Sequence, residues 1–443
     1  MPPDSFKIVY THLLNPLCFC LACLCIACST QGPSAPKTAE EELATFVLAE
    51  DLNIELVAAE PLVHDPVYMA FDHLGRLWVA EMTGFNATLE GEGENDPIGK
   101  IVVLIDDDQD GRMDSRTVFL DSLVLPRSFA LVPGGLLVAE RIPLWYVEDS
   151  DGDLRADRKT MVDSVYGGRG HVEHSPNGLW RGLDNWYYNA KSTIRYQWSG
   201  GGWIKDTTEF RGQWGISHDN YGRLYYNYNW SQLHADLVPP NYLNRNSHHE
   251  ATTGIDHGLT LNRSVYPIRS TPAVNRGYID GTLDSEQKLL EFTSACSPFV
   301  YRGTALPAEM VGDVFVCEPA GNLIKRNQIK YDGYNISATD AYSRREFLAS
   351  TDERFRPVFL TSGPDGALYI ADMYRGLIEH WKYMTPYLKE QTIDRKLDMP
   401  HHLGRIWKVS GKGDHLMEKM NDHSGLIAHL VSFKNIQIGF SVC

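Results

Sequence analysis

The sequence predicts an all-β protein, a six-bladed β-propeller over residues 44–411, and three observations lead to this fold. A glycine-containing turn is followed by an apolar strand six times along the chain. Most copies lie about 40 to 60 residues apart, which suits one four-stranded blade. No long segment with a 3.6-residue period interrupts them. A β-sandwich with coincidental turns is the alternative.

The six copies of the repeat define the six predicted blades. They are residues 72–81, 133–140, 182–188, 219–226, 312–318 and 363–372. The fourth copy is close to the first, and the fifth is the loosest. A gap of about 90 residues after the fourth copy predicts a long insertion at 229–290 that covers one face of the propeller. Residues 404–409 are predicted to form the last strand and complete the ring.

The two ends of the chain carry different expectations. Residues 1–28 contain one apolar, cysteine-rich run and are predicted to be a signal peptide of the lipoprotein type, with Cys28 as the lipidated residue. We therefore expect export, a lipid anchor and a place in the cell envelope, with an uncleaved anchor as the alternative. Residues 29–43 are predicted to be a polar tether. Residues 412–443 start like a helix and are predicted to be a truncated tail.

The charge and the cysteines exclude some functions. A net charge of -16, from 41 basic and 57 acidic residues, argues against nucleic acid as a partner. The absence of a C-x-x-C-H motif excludes a c-type haem site in this chain. Cys296 and Cys317 flank two strand-like segments, so either a disulfide between neighbouring strands or two buried free thiols is expected.

Two acidic loops predict calcium sites. Both fit D-x-D-x-D-x-x-x-D, they begin 43 residues apart, and each lies between two predicted strands. The first contains Asp106, Asp108, Asp110 and Asp114; the second contains Asp149, Asp151, Asp153 and Asp157. Clustered carboxylates repel one another unless a cation neutralises them, and Ca²⁺ takes six to eight oxygen ligands. Thr117 and Thr160 replace the final glutamate of an EF-hand, so we expect structural calcium loops, with solvated acidic turns as the alternative.

A histidine with several cations forms the candidate catalytic set. His174 precedes the third repeated strand, where a propeller brings the entrances of its blades together, and it could accept the proton of a substrate hydroxyl. Asn177, Arg211, Arg302, Lys325 and Arg326 are the candidate cofactor-binding residues. One base with several cations would suit an anionic cofactor and hydride removal from an alcohol. The alternative is that the cations pair with the abundant aspartates and glutamates.

Other catalytic motifs are missing from the sequence. It has no G-x-S-x-G, H-E-x-x-H, P-loop or G-x-G-x-x-G. The adjacent pairs His248–His249 and His401–His402 point in different directions on most backbones and are poor metal clusters.

Several motifs together resemble the N-terminal propeller of the bacterial membrane-bound dehydrogenase family. They are FDHLGRLWVAEM, the two aspartate loops, PNGLWRGLDNWYY, VNRGYIDGTL, FVYRGTALP, CEPAGNLIKR and SGPDGALYIADMYRGLIEHW. Members of this family often continue into helical repeats and a haem-binding domain, which this sequence lacks. A separate cytochrome is therefore the electron acceptor that the resemblance implies.

The propeller is also remotely similar to soluble quinoprotein glucose and aldose sugar dehydrogenases, which bind pyrroloquinoline quinone. That similarity implies that His174 is the base that assists hydride removal and that Arg211 contacts the cofactor. Arg302 and Lys325 match later cationic positions less securely. The calcium that sits on the quinone in those enzymes is not held by loops of this acidic type.

Two functions from different classes follow from these observations. The first is an exported quinoprotein-type dehydrogenase that oxidises a sugar or other alcohol. The second is a non-catalytic, calcium-stabilised propeller that binds glycans or proteins at the cell surface. Cations around His174 on one face would favour the enzyme, whereas an aromatic groove without a base would favour the binding protein.

Overall fold

The computed structural model describes residues 35–412, apart from residues 169, 244, 245, 247, 249 and 250. Within this part of the chain the strands form six antiparallel sheets in a ring, so the predicted six-bladed β-propeller is confirmed. The predicted signal segment, its lipidation site Cys28 and the predicted tail from residue 413 onward lie outside the described residues. No helix among the described residues has the length and apolar character needed to span a membrane.

The described chain begins with three short elements, after which the first three blades follow with four strands each. The short elements are α1 (Ala39–Leu43), β1 (Phe46–Leu48) and β2 (Leu52–Ala59). Blade 1 contains β3 (Pro66–Phe71), β4 (Leu77–Glu81), β5 (Gly99–Ile105) and β6 (Ser115–Leu123). Blade 2 contains β7 (Ser128–Val132), β8 (Gly135–Ala139), β9 (Leu144–Glu148) and β10 (Arg158–Asp163). Blade 3 contains β11 (Asn177–Arg181), β12 (Tyr187–Ala190), β13 (Ser192–Ser199) and β14 (Gly202–Arg211).

The last three blades are less regular. Blade 4 contains β15 (Ser217–His218), β16 (Leu224–Tyr226), β17 (His234–Ala235) and β18 (His257–Gly258). Blade 5 contains β19 (Cys296–Val300), β20 (Val314–Glu318), β21 (Leu323–Asp332), β22 (Asn335–Asp340) and β23 (Leu348–Ser350). Blade 6 contains β24 (Pro357–Ser362), β25 (Leu368–Asp372) and β26 (Arg405–Gly411). The helix α2 (Pro386–Asp394) lies between β25 and β26.

The motif repeated in the sequence is the second strand of each blade, namely β4, β8, β12, β16, β20 and β25. These strands are buried along nearly their whole length. Each lies between two strands of its own sheet and packs against neighbouring blades on both faces. Burial on both faces explains why the motif is a continuous apolar run and not an alternating pattern.

An aspartate fixes the turn before this strand. The carboxylate of Asp72 accepts hydrogen bonds from the backbone amides of Leu74 and Arg76 at 2.9 and 3.1 Å. Asp219 accepts the equivalent two bonds in blade 4. Gly75 completes the turn with a φ of 81°, a value that strains residues with a side chain. The turn chemistry therefore sets where each second strand begins.

Strands from both ends of the described chain close the ring. β2 pairs with β26, from Leu52 opposite Gly411 to Ala59 opposite Arg405, and forms the outer strand of blade 6. The predicted strand 404–409 exists within β26, but it is the third strand of its blade, and β2 completes the ring. β1 extends blade 5 by pairing with β23.

The segment before β1 is held to the closed blade by buried charges. Residues 39–43, predicted to end a tether, form α1, and the side chain of Thr38 caps this helix. The fully buried guanidinium of Arg405 forms ion pairs with the carboxylates of Glu42 and Glu60, the latter at 2.9 Å. Burial raises the pKa of Glu42 well above its ordinary value, and Arg405 opposes this rise. The helix is therefore part of the core.

The predicted insertion lies between the second strand of blade 4 and the first strand of blade 5. It supplies the two short outer strands of blade 4, and residues 259–295 then contain only isolated bridges. A second excursion, between β25 and β26, meets it at Asn275. The Asn275 side chain donates to the carbonyl of Tyr383 at 2.9 Å, and the hydroxyl of Thr385 donates to the Asn275 carbonyl at 2.7 Å. The two excursions together cover one end of the propeller axis.

Replacing Arg405 with leucine should destabilise the protein by about 3–5 kcal/mol, because Glu42 then remains buried without its cationic partner. Guanidinium unfolding of wild type and R405L measures the difference. R345L is the matched control, since Arg345 forms an exposed ion pair with Glu50 and should cost less than about 1 kcal/mol. Equal losses in the two variants would show that the buried pair does not hold the N-terminal segment.

Candidate active site at the propeller axis

A cavity of about 110 Å³ lies at one end of the propeller axis. Its walls come from residues that precede innermost strands, such as Glu173 and Trp214, and from residues that follow second strands, such as Met82 and Met373. Further lining residues are Val67, Phe85, Val172, Gln213, Asn229, Thr293, Ser294, Ala295, Cys296, Pro319, Val358, Ile378 and Glu379. The lining is mostly apolar, and its two ionisable carboxyl groups are those of Glu173 and Glu379.

The segment 376–383, which follows β25, positions Glu379 over the cavity. The side-chain amide of Asn86 donates to the Glu379 carbonyl at 2.6 Å and accepts from the backbone amide of Trp381 at 3.1 Å. The carboxylate of Glu94 binds the ring of His380 at 2.7 Å and accepts from the Trp381 indole at 2.8 Å. Blade 1 therefore fixes a segment that belongs to blade 6.

The two glutamates influence each other's protonation. Burial raises the pKa of Glu173 to about 8, and the negative charge of Glu379 adds to this rise. Burial likewise raises the pKa of Glu379 to about 7, while the cation of Arg276 opposes it. Near neutral pH the pair therefore shares one proton, so one carboxyl group can donate a proton while the other accepts one.

His174 lies beside the cavity but is not among the residues that line it. Its ring is half-buried and packs edge-on against Tyr383, with ring centroids 5.0 Å apart. Partial burial lowers the pKa of His174 below its ordinary value, and the nearby Lys191 lowers it further. Its imidazole is therefore neutral near pH 7, and its ring nitrogens have no hydrogen-bond partner among the described residues. A neutral imidazole can accept a proton, but of the two adjacent residues it is Glu173, and not His174, that lines the cavity.

Asn177 and Arg211 hold the fold together and offer nothing to a cofactor. The Asn177 amide donates to the Gln213 carbonyl at 2.8 Å and accepts from the Gly215 amide at 2.8 Å, which joins blades 3 and 4. Arg211 is 1% exposed and pairs with Asp236 and Glu209, both at 2.7 Å. The paired-cation alternative in the sequence analysis describes Arg211 correctly.

The remaining predicted cations also lie away from the cavity. Lys325 is buried against Glu346 at 3.2 Å, and Arg326 is buried against Asp313 at 2.7 Å. Arg302 is exposed and lies two residues beyond the end of β19, whereas Cys296 at the start of that strand lines the cavity. An extended strand rises about 3.3 Å per residue, so Arg302 lies roughly 20 Å from the cavity, at the opposite end of the axis.

Pyrroloquinoline quinone is a tricarboxylic acid, so a protein that binds it must supply cations. No lysine or arginine is among the described residues that line the axial cavity. The charged groups there are Glu173 and Glu379, which would repel the quinone. The lining of the axial cavity by itself therefore does not fit this cofactor, whereas Arg263, Arg276 and Arg356 line a groove that adjoins the cavity.

Cys296 and Cys317 lie directly opposite each other on β19 and β20. Both are buried free thiols in the structure, which is the second of the two expectations from the sequence. Burial and the contact with Cys296 raise the pKa of the Cys317 thiol. Of the two, only Cys296 lines the cavity.

The two acidic loops lie between the third and fourth strands of blades 1 and 2, at the end of the axis opposite the cavity. Asp106, Asp108 and Asp114 in the first loop bring carboxylate oxygens within 4.8 Å of one another. Asp149, Asp151 and Asp153 do so in the second loop. The other two predicted ligands lie outside these groups: Asp110 accepts from the Arg112 amide, and Asp157 accepts from Ser150. Three clustered carboxylates fit Ca²⁺, and this location suits a structural ion.

Glu173 and Glu379 are not among the site residues predicted from the sequence. A short repeated pattern could have found them, since Val-Glu-His at 172–174 recurs as Ile-Glu-His at 378–380. The two copies lie before an innermost strand and after a second strand, positions that a propeller brings to the same end of its axis. A search for blade repeats misses this pattern because the two copies occupy different places within their blades.

The chain matches the family described as a domain of unknown function, DUF7133, over residues 38–413. The chain belongs to this family. No curated protein matches it. The family match covers the described elements from the helix α1 to the end of β26.

Several solved structures are similar in fold. An oxidoreductase of Thermus thermophilus, described as a glucose dehydrogenase, shares 14% identity over 81% of this chain and 99% of its own, with a TM-score of 0.44. The pyranose dehydrogenase PQQ domain of Coprinopsis cinerea shares 11% identity over 86% and 99%, with a TM-score of 0.45. Virginiamycin B lyase of Staphylococcus aureus shares 9% identity over 81% and 99%, with a TM-score of 0.37. The function of this chain therefore has to come from its own residues.

Millimolar Ca²⁺ should raise the midpoint of thermal unfolding by a few degrees, because an ion bound only by the folded state adds roughly 1–2 kcal/mol per site. D108N and D151N should each remove part of this shift, and the double variant should remove all of it. D121N, which changes an exposed aspartate outside the loops, is the control. A Ca²⁺ effect that survives in the double variant would place the ion elsewhere.

E173Q should be more stable than wild type in alkaline solution. Folded Glu173 keeps its proton up to about pH 8, whereas an unfolded glutamate loses it near 4.5, so wild-type stability falls as the pH rises through this interval. Glutamine is neutral throughout and avoids that loss. The unfolding midpoint of E173Q should exceed that of wild type at about pH 9 and converge with it near pH 4. E90Q, at an exposed glutamate, should show no such pH dependence.

Proposed function

We propose that the axial cavity is the active site of an enzyme that exchanges protons with a sugar or other alcohol. The observation that carries this proposal is the meeting of Glu173 and Glu379 in a cavity whose other walls are mostly apolar. Two half-buried carboxyl groups that interact with each other and both have raised pKa values are an arrangement typical of acid–base sites. The cavity is too small for a macromolecule, so the reacting group belongs to a small molecule or to the end of a chain.

The pair can supply both parts of acid–base catalysis. With one proton between them near neutral pH, the ionised carboxylate accepts a hydroxyl proton, and the protonated partner donates a hydrogen bond to a developing carbonyl. Apolar neighbours such as Met82 and Val358 exclude water and strengthen these interactions. His174, neutral and beside Glu173, is placed to relay a proton toward solvent.

Oxidation of the alcohol is the reaction that we propose for this site. The carboxylate takes the hydroxyl proton, and the carbon gives a hydride to a diffusible acceptor of the quinone class. The alcohol becomes a carbonyl, and the acceptor, with the proton that the carboxyl group releases, becomes a quinol. The resemblance in the sequence implies a quinone acceptor with a separate cytochrome beyond it. Export, with Cys28 as the lipid anchor, belongs to the same proposal and rests on the N-terminal sequence.

Recognition without catalysis is the second candidate function. The observations that favour it are the lack of cations in the cavity lining and the exposed Trp230 in a groove beside it. In this case the propeller would bind glycans at the cell surface and the acidic loops would hold structural calcium.

Purified protein should reduce a dye when supplied with an aldose or alcohol from a substrate panel, assayed with and without pyrroloquinoline quinone and Ca²⁺. E173Q and E379Q should each lower kcat by about 10²–10⁴-fold, the usual contribution of a general base. The kcat of H174A should fall by a smaller factor, and the kcat of E90Q should equal that of wild type. The rate should be highest between pH 7 and 8, where the pair holds one proton.

Two results would overturn parts of this proposal. If kcat falls further in H174A than in E173Q, His174 and not Glu173 is the general base. If the folded protein binds sugars but oxidises none of them, with or without the quinone, the enzyme proposal is wrong and recognition without catalysis is supported.

A further inference from the structure

A groove of about 320 Å³ opens outward from the axial cavity. Cavity and groove share five lining residues, so they form one continuous space: Asn229, Thr293, Ser294, Ile378 and Glu379. The outer wall comes from the insertion between the second strand of blade 4 and the first strand of blade 5, and the inner wall comes from the segment that carries Glu379. A ligand that reaches the glutamate pair can therefore extend into the groove.

An exposed tryptophan stands on the outer wall. Trp230 is 60% exposed, unusual for the largest aromatic side chain. The guanidinium of Arg263 lies over its ring, 5.6 Å from the centroid, and is held by Glu291 at 2.9 Å. The indole is thus fixed in orientation and open to a ligand. The negative face of such a ring attracts the weakly positive C–H groups of a pyranose.

Polar groups without protein partners lie where the groove meets the cavity. Among the described residues, the side chains of Asn229 and Arg276 have no hydrogen bond or ion pair within 4 Å. Glu379 lies close enough to Arg276 for their charges to interact. An amide, a guanidinium and a carboxyl group together offer donors and acceptors in the combination that adjacent sugar hydroxyls require.

The ionic side chains of the groove are three arginines and two glutamates, and most of the arginines are already engaged, which bears on the charge of the ligand. Arg263 forms an ion pair with Glu291. The guanidinium of Arg356 donates hydrogen bonds to the backbone carbonyls of Pro319, Arg375 and Gly376. Arg276 faces Glu379. Arg356 keeps its charge, but it is buried and its donors are taken, so Arg276, near Glu379, is the lining cation that a ligand can reach. A ligand with several charges would therefore find few partners here, whereas a neutral one would fit.

We propose that the groove binds the inner units of a neutral oligosaccharide whose terminal unit enters the axial cavity. Trp230 stacks on one of these units, and Asn229 and Arg276 bind the hydroxyl groups of the unit next to the cavity. The assignment of the terminal unit rests on the proposed function, whereas binding of the inner units depends on the groove alone. The substrate is thus a glycan chain end and not a free monosaccharide.

Calorimetric titration with the hexasaccharides of cellulose, mannan and xylan, and with glucose, mannose and xylose, tests this proposal. At least one hexasaccharide should bind about tenfold or more tightly than its monosaccharide, because occupied outer subsites add binding energy. W230A should lose about tenfold in hexasaccharide affinity and leave monosaccharide affinity unchanged, and R276A should also lose about tenfold in hexasaccharide affinity. Y334A, at an aromatic residue that is 81% exposed on a distant hairpin, should bind like wild type.

The outcomes separate this inference from the proposed function. If hexasaccharide binding depends on Trp230 but no sugar is oxidised, the groove is an oligosaccharide-binding site and the proposed oxidation is wrong. Oxidation of free monosaccharides as efficiently as of hexasaccharides, with W230A unchanged, would support the enzyme and overturn the groove. The groove assignment is also overturned if none of the three hexasaccharides binds.

Discussion

The pairing of β2 with β26 is the constraint on which the rest of the structure depends. A propeller buries the edges of its sheets only when its last blade is completed, and here the strand that completes it comes from the other end of the described chain. The buried ion pairs of Arg405 hold the helix before that strand in place. Because the ring is closed, elements that are distant in sequence converge at the axis. The glutamate pair exists only in this closed state, since Glu173 and Glu379 come from blades 3 and 6.

The buried arginines of this propeller serve its backbone more than its site. Arg127 binds the carbonyls of Pro176, Glu140 and Arg141, and burial lowers its pKa to about 10. Such arginines satisfy loop carbonyls that the blade entrances leave without strand partners. The guanidinium groups of these arginines therefore lie near the axis but outside the cavity. The cavity keeps two carboxyl groups whose pKa values are raised by desolvation, and the charge of Arg276 only partly opposes this rise at Glu379.

The sequence predicts the fold better than the site, and particular residues show why. Asp72 and Gly75 mark a turn by local chemistry that recurs at Asp219 and Gly222, and every copy has a glycine before its apolar strand, so the six second strands are visible without a structure. The position of Arg211 before a strand also suggests a site, but its burial against Asp236 depends on packing between strands that the sequence does not order. Glu379 was missed because the segment that carries it is placed by Asn86 and Glu94 of another blade. Long-range closure determines the site, whereas local patterns determine the blades.

Infrared difference spectroscopy of the carboxyl groups is the most direct measurement of the central claim, that Glu173 and Glu379 share a proton at the axis. The spectrum of wild type minus E173Q should contain a protonated carboxyl band at pH 6 that disappears between about pH 7 and 9. The difference isolates Glu173, together with any change that its loss causes in Glu379, from other acids such as Glu318 and Glu346, whose pKa values are also raised to about 7. A difference spectrum that shows only ionised carboxylate at pH 6 would contradict the account, because each glutamate would then carry its charge independently.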